Sequence, residues 1–343
     1  MSSSQEKAES IQDRISIDNQ IDPASEELAL VELQKGLLEQ PRRIPTKFLY
    51  DKRGSRLFEQ ITALEEYYPT RVEHSLLQRY ASEIQTLASC EELVELGSGA
   101  ATKTRVLLDA MQAAGMLRLY IPFDVSESEV RRVAEELAEE YPTLQVHGIV
   151  ADFVHHLTAI PAGAQRLVML LGSTIGNFPR GKAVDFLRRI SAQMENSDSF
   201  LLGVDLIKDV PRIEAAYDDA SGITAEFNRN ILSVVNRFAE ANFQPAQFDH
   251  LAFFNTDLHR IEMHLIATRA MHVELRSLEL EIEIQQGEAL FIEISCKYER
   301  SMVESMLSEA GFELTEWFSD SEDLFALALA RKRGSPHSCP PAP

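Results

Sequence analysis

Residues 92–99, ELVELGSG, decide the fold. They form a short apolar run that stops on Gly97 and Gly99. The following segment, KTRVLLDAMQAAG (103–115), has helical period and ends at Gly115. The alternation continues. RLYIPFDVS (118–126) reads as a strand ending on an acid, and Ser126 and Glu129 open the next helix with capping-box spacing. LQVHGIVADF (144–153), RLVMLLGSTIGNF (166–178) and SFLLGVDL (199–206) read as buried strands. Near-continuous apolar strands alternating with helices specify an α/β fold with a parallel sheet covered on both faces. Ligands bind at the carboxyl ends of such strands, and each of these ends carries a polar or glycine cluster.

The pattern changes after Leu206. Residues 213–243 are helical in period, residues 248–284 alternate like antiparallel strands, and GEALFIEISCKY (287–298) is a further strand before a last helix and two strands. Antiparallel-type strands do not easily extend a parallel sheet, so they predict a second domain. The expected division is a flexible arm at 1–20, one domain from 21–71 with 207–297, another from 72–206 with 298–332, and a proline-rich flexible tail at 333–343.

Composition narrows the function. The 343 residues include 33 Lys plus Arg against 54 Asp plus Glu, a formal charge of −21. A field of that sign disfavours nucleic acid and anionic membrane as partners. The three cysteines, Cys90, Cys296 and Cys339, are widely spaced and show no metal-ligand pattern, which indicates a reducing compartment. No apolar run reaches the roughly 18–20 residues of a membrane span, and the N-terminus lacks the basic and apolar regions of a secretory signal. The expectation is a cytoplasmic enzyme.

Three strand ends carry candidate chemistry. Gly97 and Gly99 let the backbone approach a ligand at a helix start. Thr102 occupies the position where a dinucleotide fingerprint needs its third glycine. Glu95 precedes the pair. Asp124 can accept both hydroxyls of a ribose, and Asp152-Phe153 offers an acid and an aromatic edge to a base. Together they favour an S-adenosylmethionine site over a nicotinamide site, although each alone is an ordinary turn or strand end. Lys103 is either a ligand for the cofactor's carboxylate or a solvated helix lysine. Asn177, in the loop after the fourth strand, can fix an amine and a carboxylate or can simply be a turn residue. Tyr67 and Tyr217 lie in aromatic–polar clusters that could equally be core. Glu293, Ser295 and Lys297 share one strand face, which taken alone reads as a wet surface.

Long stretches resemble one family, the L-histidine Nα-methyltransferases of the ergothioneine pathway. They are PTKFLYDKRGSRLFEQITALEEYYPTR, ELGSGAATKTRVLLDA, FDVSES, GSTIGNF, LLGVDLIKD, AYDDASGITAEFNRNIL, HRIEMHL and EISCKY, in the family's order from about residue 44 to 332. The resemblance implies a Rossmann-like class I methyltransferase sheet, with a substrate-binding domain built from the N-terminal segment and the insertion. It implies that S-adenosyl-L-methionine donates three methyl groups to the α-amine of L-histidine, forming hercynine. Gly97, Lys103, Asp124, Asp152 and Phe153 then fall on cofactor-binding positions. Tyr67, Asn177 and Tyr217 fall on positions that hold the amine and carboxylate, with Tyr50 near the amine. Glu293 and Ser295 fall on the pair that reads the imidazole, with Met263 and Ile294 beside them. No metal spacing is seen, so the expectation is a metal-free site, in a monomer.

The residue types suit that chemistry. A neutral amine must be aimed at the methyl, and a full carboxylate beside it would stabilise the ammonium and oppose attack. Weak acceptors such as Asn177 and the tyrosine hydroxyls avoid this, and Glu293 serves better at the ring. Other readings are a methyltransferase of the same fold acting on another amino acid such as tryptophan, or a nonenzymatic small-molecule-binding protein.

Overall fold

The computed structural model describes residues 11–21, 23–163 and 165–333. A 3₁₀ turn, Ile11–Arg14, leads into β1 (Ile15–Asn19). Helix α1 (Pro23–Leu38), a second 3₁₀ turn (Thr46–Leu49), α2 (Lys52–Ala63) and α3 (Tyr68–Ala88) follow. Strands and helices then alternate: β2 (Glu92–Leu96), α4 (Thr104–Ala113), β3 (Leu119–Asp124), α5 (Glu127–Glu140), β4 (Gln145–Val150), β5 (Arg166–Leu170), α6 (Arg180–Ala192) and β6 (Ser199–Asp205). Helices α7 (Val210–Ala215) and α8 (Ile223–Phe238) precede β7 (Phe248–Asn255), β8 (Arg260–Ala267), β9 (Met271–Leu275), β10 (Leu280–Ile284) and β11 (Ala289–Cys296). Helix α9 (Arg300–Glu309), β12 (Phe312–Ser319) and β13 (Phe325–Lys332) close the fold.

The main sheet has the order β1-β4-β3-β2-β5-β6-β13-β12. Pairing is parallel from β1 through β6, and β13 runs antiparallel to both β6 and β12. From β2 the chain moves outward through β3 and β4, then returns to place β5 on the other side of β2. That reversal opens a crevice at the carboxyl ends of β2 and β5. Alternate strand residues feed opposite faces. Val94, Ile121, Val168 and Leu202 pack under α6 and α9. Leu93, Tyr120, Leu167 and Leu201 pack under α3, α4 and α5. Helix α5 starts after Ser126, as the spacing predicts, but the Ser126 side chain makes no cap hydrogen bond.

The expectation of a flexible arm at residues 1–20 needs correction from Ile11 onward. β1 adds to the sheet edge, parallel to β4. Gly148 makes room for it, since a Cβ there would lie 2.7 Å from Ile17 Cδ1. Arg14 is buried and donates to the carbonyls of Ala138, Tyr141 and Leu144 at 2.6, 3.0 and 2.9 Å. These carbonyls lie at and just beyond the C-terminal end of α5, where a cation also complements the helix dipole. At the other end, the Arg333 N–H donates to the Gly311 carbonyl at 2.9 Å. Residues 1–10 and 334–343, to which the arm and tail expectations also apply, lie outside the described residues.

A third core gathers Leu33, Leu37, Phe48, Leu57 and Ile61 from the N-terminal helices around α8 residues Phe227, Ile231 and Val235. The antiparallel sheet β7–β8–β11 covers it with Ile261, Met263, Leu265 and Ile292. Among the described residues no helix is long and apolar enough to cross a membrane.

Candidate active site

The loop after β2 is shaped by Gly97 and Gly99, with φ of +76° and +48°, a region glycine enters without a Cβ penalty. The Gly99 N–H donates to Asp124 Oδ2 at 2.9 Å, and the Ser126 N–H donates to Oδ1 at 3.0 Å. Each carboxylate oxygen keeps a lone pair for another donor. Burial raises the Asp124 pKa, and the backbone N–H groups oppose that rise. Asp152 Oδ1 accepts the Val154 N–H at 2.8 Å. The Phe153 ring lies against the loop, and a Cβ on Gly97 would sit 3.4 Å from its Cε1. A glycine shelf, a strand-end acid and an aromatic edge thus converge from β2, β3 and β4, and this donor set fits an adenosine-bearing cofactor. Glu95 lies beneath, buried, accepting from Thr104 Oγ1 and Tyr120 Oη at 2.6 Å each, and burial pushes it up to about 7.

Lys103 is not a solvated helix lysine. It forms an ion pair with Glu73, a fully buried residue of α3. The other Glu73 oxygen accepts the Gly172 N–H at 2.7 Å. One carboxylate therefore ties the lysine to the loop after β5. Sequence reasoning passed over Glu73, although its helical spacing from Pro69, Leu76 and Leu77 places it on the buried stripe of α3.

The β5 loop turns through Gly172 and Ser173 at positive φ into the 3₁₀ turn Thr174–Asn177, which leaves Asn177 half-buried at its end. The turn docks on β11 at Gly176, where a Cβ would meet the Cys296 carbonyl oxygen at 2.9 Å. Ser173 Oγ accepts the Asp205 N–H at 3.0 Å.

On β11 a register shift follows Phe291, after which Glu293 pairs with Met263 and Ser295 with Ile261. The shared face of Glu293, Ser295 and Lys297 is dry, correcting the wet-surface reading: the three are 6%, 5% and 0% exposed. An aromatic cluster adjoins it. The Tyr67 ring meets Tyr217 at 5.9 Å and Phe58 at 6.2 Å, and Tyr50 meets Phe58 at 5.8 Å and Phe227 at 5.7 Å. Arg71 pins the Tyr67 turn by donating to the Leu64 and Glu65 carbonyls. Met263 shares the face of Glu293 and takes the Asn228 Nδ2 donor at 3.5 Å. Ile294 does not join them: its side chain alternates to the opposite face, in the core with Ile175, so only its backbone adjoins the others.

Glu293 Oε1 is buried without a hydrogen-bond partner. Burial raises its pKa to about 8 against the pull of Lys297. Burial also pushes the phenols of Tyr50, Tyr67 and Tyr217 up, with Glu293 adding to each. All three are therefore neutral hydroxyls at physiological pH. Tyr217 Oη lies 2.9 Å from Ser295 Oγ and receives Lys297 Nζ at 2.7 Å. Behind Lys297, Asp205 accepts from Tyr68 Oη at 2.9 Å and pairs with Lys208. Tyr68 stands beside Tyr67 in the first aromatic–polar cluster, but Asp205 and Lys208 were not singled out from sequence; an acid at the end of β6 followed by a lysine was the available signal.

A family model described as histidine-specific, S-adenosylmethionine-dependent methyltransferase matches residues 29–332. The histidine N-alpha-methyltransferase of Mycolicibacterium smegmatis is 45% identical over 299 residues, covering 87% of this chain and 93% of that protein. That of Mycobacterium tuberculosis is 42% identical over 320 residues, covering 93% and 100%. Ergothioneine biosynthesis protein 1 of Neurospora crassa is 32% identical over 304 residues, covering 85% of this chain and 34% of that protein.

Proposed function

This chain belongs to the family of S-adenosylmethionine-dependent, histidine-specific methyltransferases, and from that premise we propose that it trimethylates the α-amine of L-histidine to hercynine in ergothioneine biosynthesis. The observation that carries this reading is the desolvated, unpartnered carboxylate oxygen of Glu293 on the same strand face as Ser295, beside the neutral hydroxyls of Tyr67 and Tyr217. A buried acceptor penalises ligands that bring no donor to it, which selects a ring with an N–H.

Gly97, Lys103, Asp124, Asp152 and Phe153 hold the cofactor, which supplies an electrophilic methyl on a sulfonium. Tyr67, Asn177 and Tyr217 hold the amine and carboxylate, with Tyr50 beside the amine. Glu293 and Ser295 take the ring, and Met263 limits its size. The amine is held by neutral partners, which do not stabilise its ammonium form as a carboxylate would, and it can turn between transfers. In this reading the amine's proton leaves to water. Alignment then supplies much of the acceleration.

In this reading residues 21–71 with 207–297 are the substrate-binding domain, and 72–206 with 298–332 bind the cofactor. The protein acts as a cytoplasmic monomer, without nucleic acid or membrane. Mass spectrometry after incubation with S-adenosylmethionine and a panel of amino acids tests it. Histidine and Nα,Nα-dimethylhistidine should both yield hercynine. Arrest at one methyl under excess cofactor, or preferential turnover of tryptophan, would overturn it.

A further inference from the structure

Lys297 extends the strand face of Glu293 and Ser295, and its side chain is fully buried. Its Nζ lies 2.7 Å from each of three oxygens: Asp205 Oδ2, Tyr217 Oη and Ser295 Oγ. An ammonium owns three hydrogens and no lone pair, so these contacts use it completely. Asp205, held also by Tyr68 and Lys208, supplies the countercharge.

The consequence lies with the two hydroxyls. Tyr217 Oη and Ser295 Oγ are 2.9 Å apart, and each already accepts from Lys297. A phenol is the stronger donor and the poorer acceptor of the two, so Tyr217 gives its hydrogen to Ser295. Lys297 and Tyr217 then fill both lone pairs of Ser295 Oγ, and the Ser295 hydrogen has no acceptor within the triangle and points out of it. Two residues along the same face, Glu293 Oε1 is a buried acceptor without a partner.

We infer that Lys297 is a positioning residue that sets the hydrogen-bond polarity of the substrate pocket: together with Tyr217 it occupies both lone pairs of Ser295 and leaves Ser295 a donor, so histidine is taken with a neutral imidazole, N–H to Glu293 and bare nitrogen to Ser295. The inference rests on the reading that Glu293 and Ser295 face the ring. An imidazolium would set a second N–H against the outward O–H and bring a like charge toward Lys297. The reversed tautomer, with Glu293 protonated and donating, would make the same N–H to O–H clash. The device therefore selects protonation state as well as ring shape.

Nitrogen-15 NMR of ring-labelled L-histidine, bound to the full chain with S-adenosylhomocysteine, reads this directly. At about pH 6 the free ring is mostly protonated. The bound ring should show one protonated and one bare nitrogen in a single tautomer. Two protonated nitrogens would overturn the inference. In Lys297→Met, with S-adenosylhomocysteine affinity unchanged as the check on folding, the single-tautomer signature should be lost. Histidine affinity should fall about tenfold or more. Retention of that signature at wild-type affinity would remove Lys297 from the role. If Lys297→Met does not fold, Ser295→Ala takes its place and should give the same two changes, their absence counting against the inference. Glu293→Gln separates the two levels. Unchanged histidine affinity there sinks the reading of the pocket itself. A clear loss there, with a doubly protonated ring in the wild type, sinks only the role of Lys297.

Discussion

Glu73 reaches Lys103 through space that only Gly203 leaves open: a Cβ on Gly203 would lie 2.2 Å from Glu73 Oε1 and 3.3 Å from the Phe325 ring. The carboxylate is anchored by Lys103 and the Gly172 N–H, so it cannot simply swing aside. Gly203→Ala should therefore cost about 1–3 kcal/mol in urea denaturation, and it should weaken S-adenosylhomocysteine binding by displacing Lys103. Glu73→Gln, which keeps the shape but strips the countercharge from Lys103, should cost about 3 kcal/mol. Wild-type stability in both variants would show that the pair holds nothing together.

Asp124→Asn should weaken cofactor binding by one to two decades, since hydrogen bonds to a charged group are worth about 1.5–3 kcal/mol. Its carboxamide would also turn an NH₂ toward Gly99 or Ser126, both of which donate. Calorimetry with S-adenosylhomocysteine checks this, and a change under threefold would remove Asp124 from the cofactor site.

The pH dependence of histidine binding follows from Glu293, whose pKa burial raises to about 8. If the neutral ring donates to the carboxylate, Glu293 must lose its proton on binding. Affinity should then rise with pH by about tenfold per unit between roughly 6.5 and 8, relative to Glu293→Gln, and level off above. The comparison cancels the amine's own titration. Parallel profiles in the two proteins would mean that the ring binds as imidazolium.

Among the described residues Gly54 is the most tightly packed glycine. A Cβ there would sit 1.7 Å from the Leu49 carbonyl oxygen, a backbone atom with nowhere to go. The same turn is held by Asp51, which accepts the Gly54 N–H and the Asn230 side chain at 2.8 Å each and so ties α2 to α8. Gly54→Ala should cost about 3 kcal/mol and shift Tyr50, which ends the adjoining 3₁₀ turn. A lowered melting temperature with weaker histidine binding is the expected pair of results.

Met263 and Glu293 are cross-strand partners on the pocket face. Replacing both with alanine removes a ring acceptor and a side chain's volume together. Histidine turnover should collapse while an indole-bearing amino acid gains detectable methylation by mass spectrometry. Failure of tryptophan to react at all would place the size limit elsewhere.

The sequence by itself determined the parallel core and the cluster of glycines and acids at its strand ends, because both are local. Apolar strands alternating with periodic helices have one economical packing, and glycines or acids at strand ends are positioned by their own strand. Gly97, Asp124, Asp152 and Phe153 converge for that reason. Period-two alternation likewise placed Glu293, Ser295 and Lys297 on one face. Whether that face was wet or dry was settled only in three dimensions, by tyrosines contributed from positions 50, 67 and 217. The Glu73–Lys103 pair spans 30 residues of sequence, and Asp205 meets Lys297 across the junction of two sheets. Residues 11–19 look like a polar arm until β4 offers an unpaired edge and the end of α5 offers carbonyls to Arg14. In each case the deciding energy is desolvation or hydrogen bonding between segments distant in the chain. Local pattern carries no record of such partners, so only the tertiary structure could assign them.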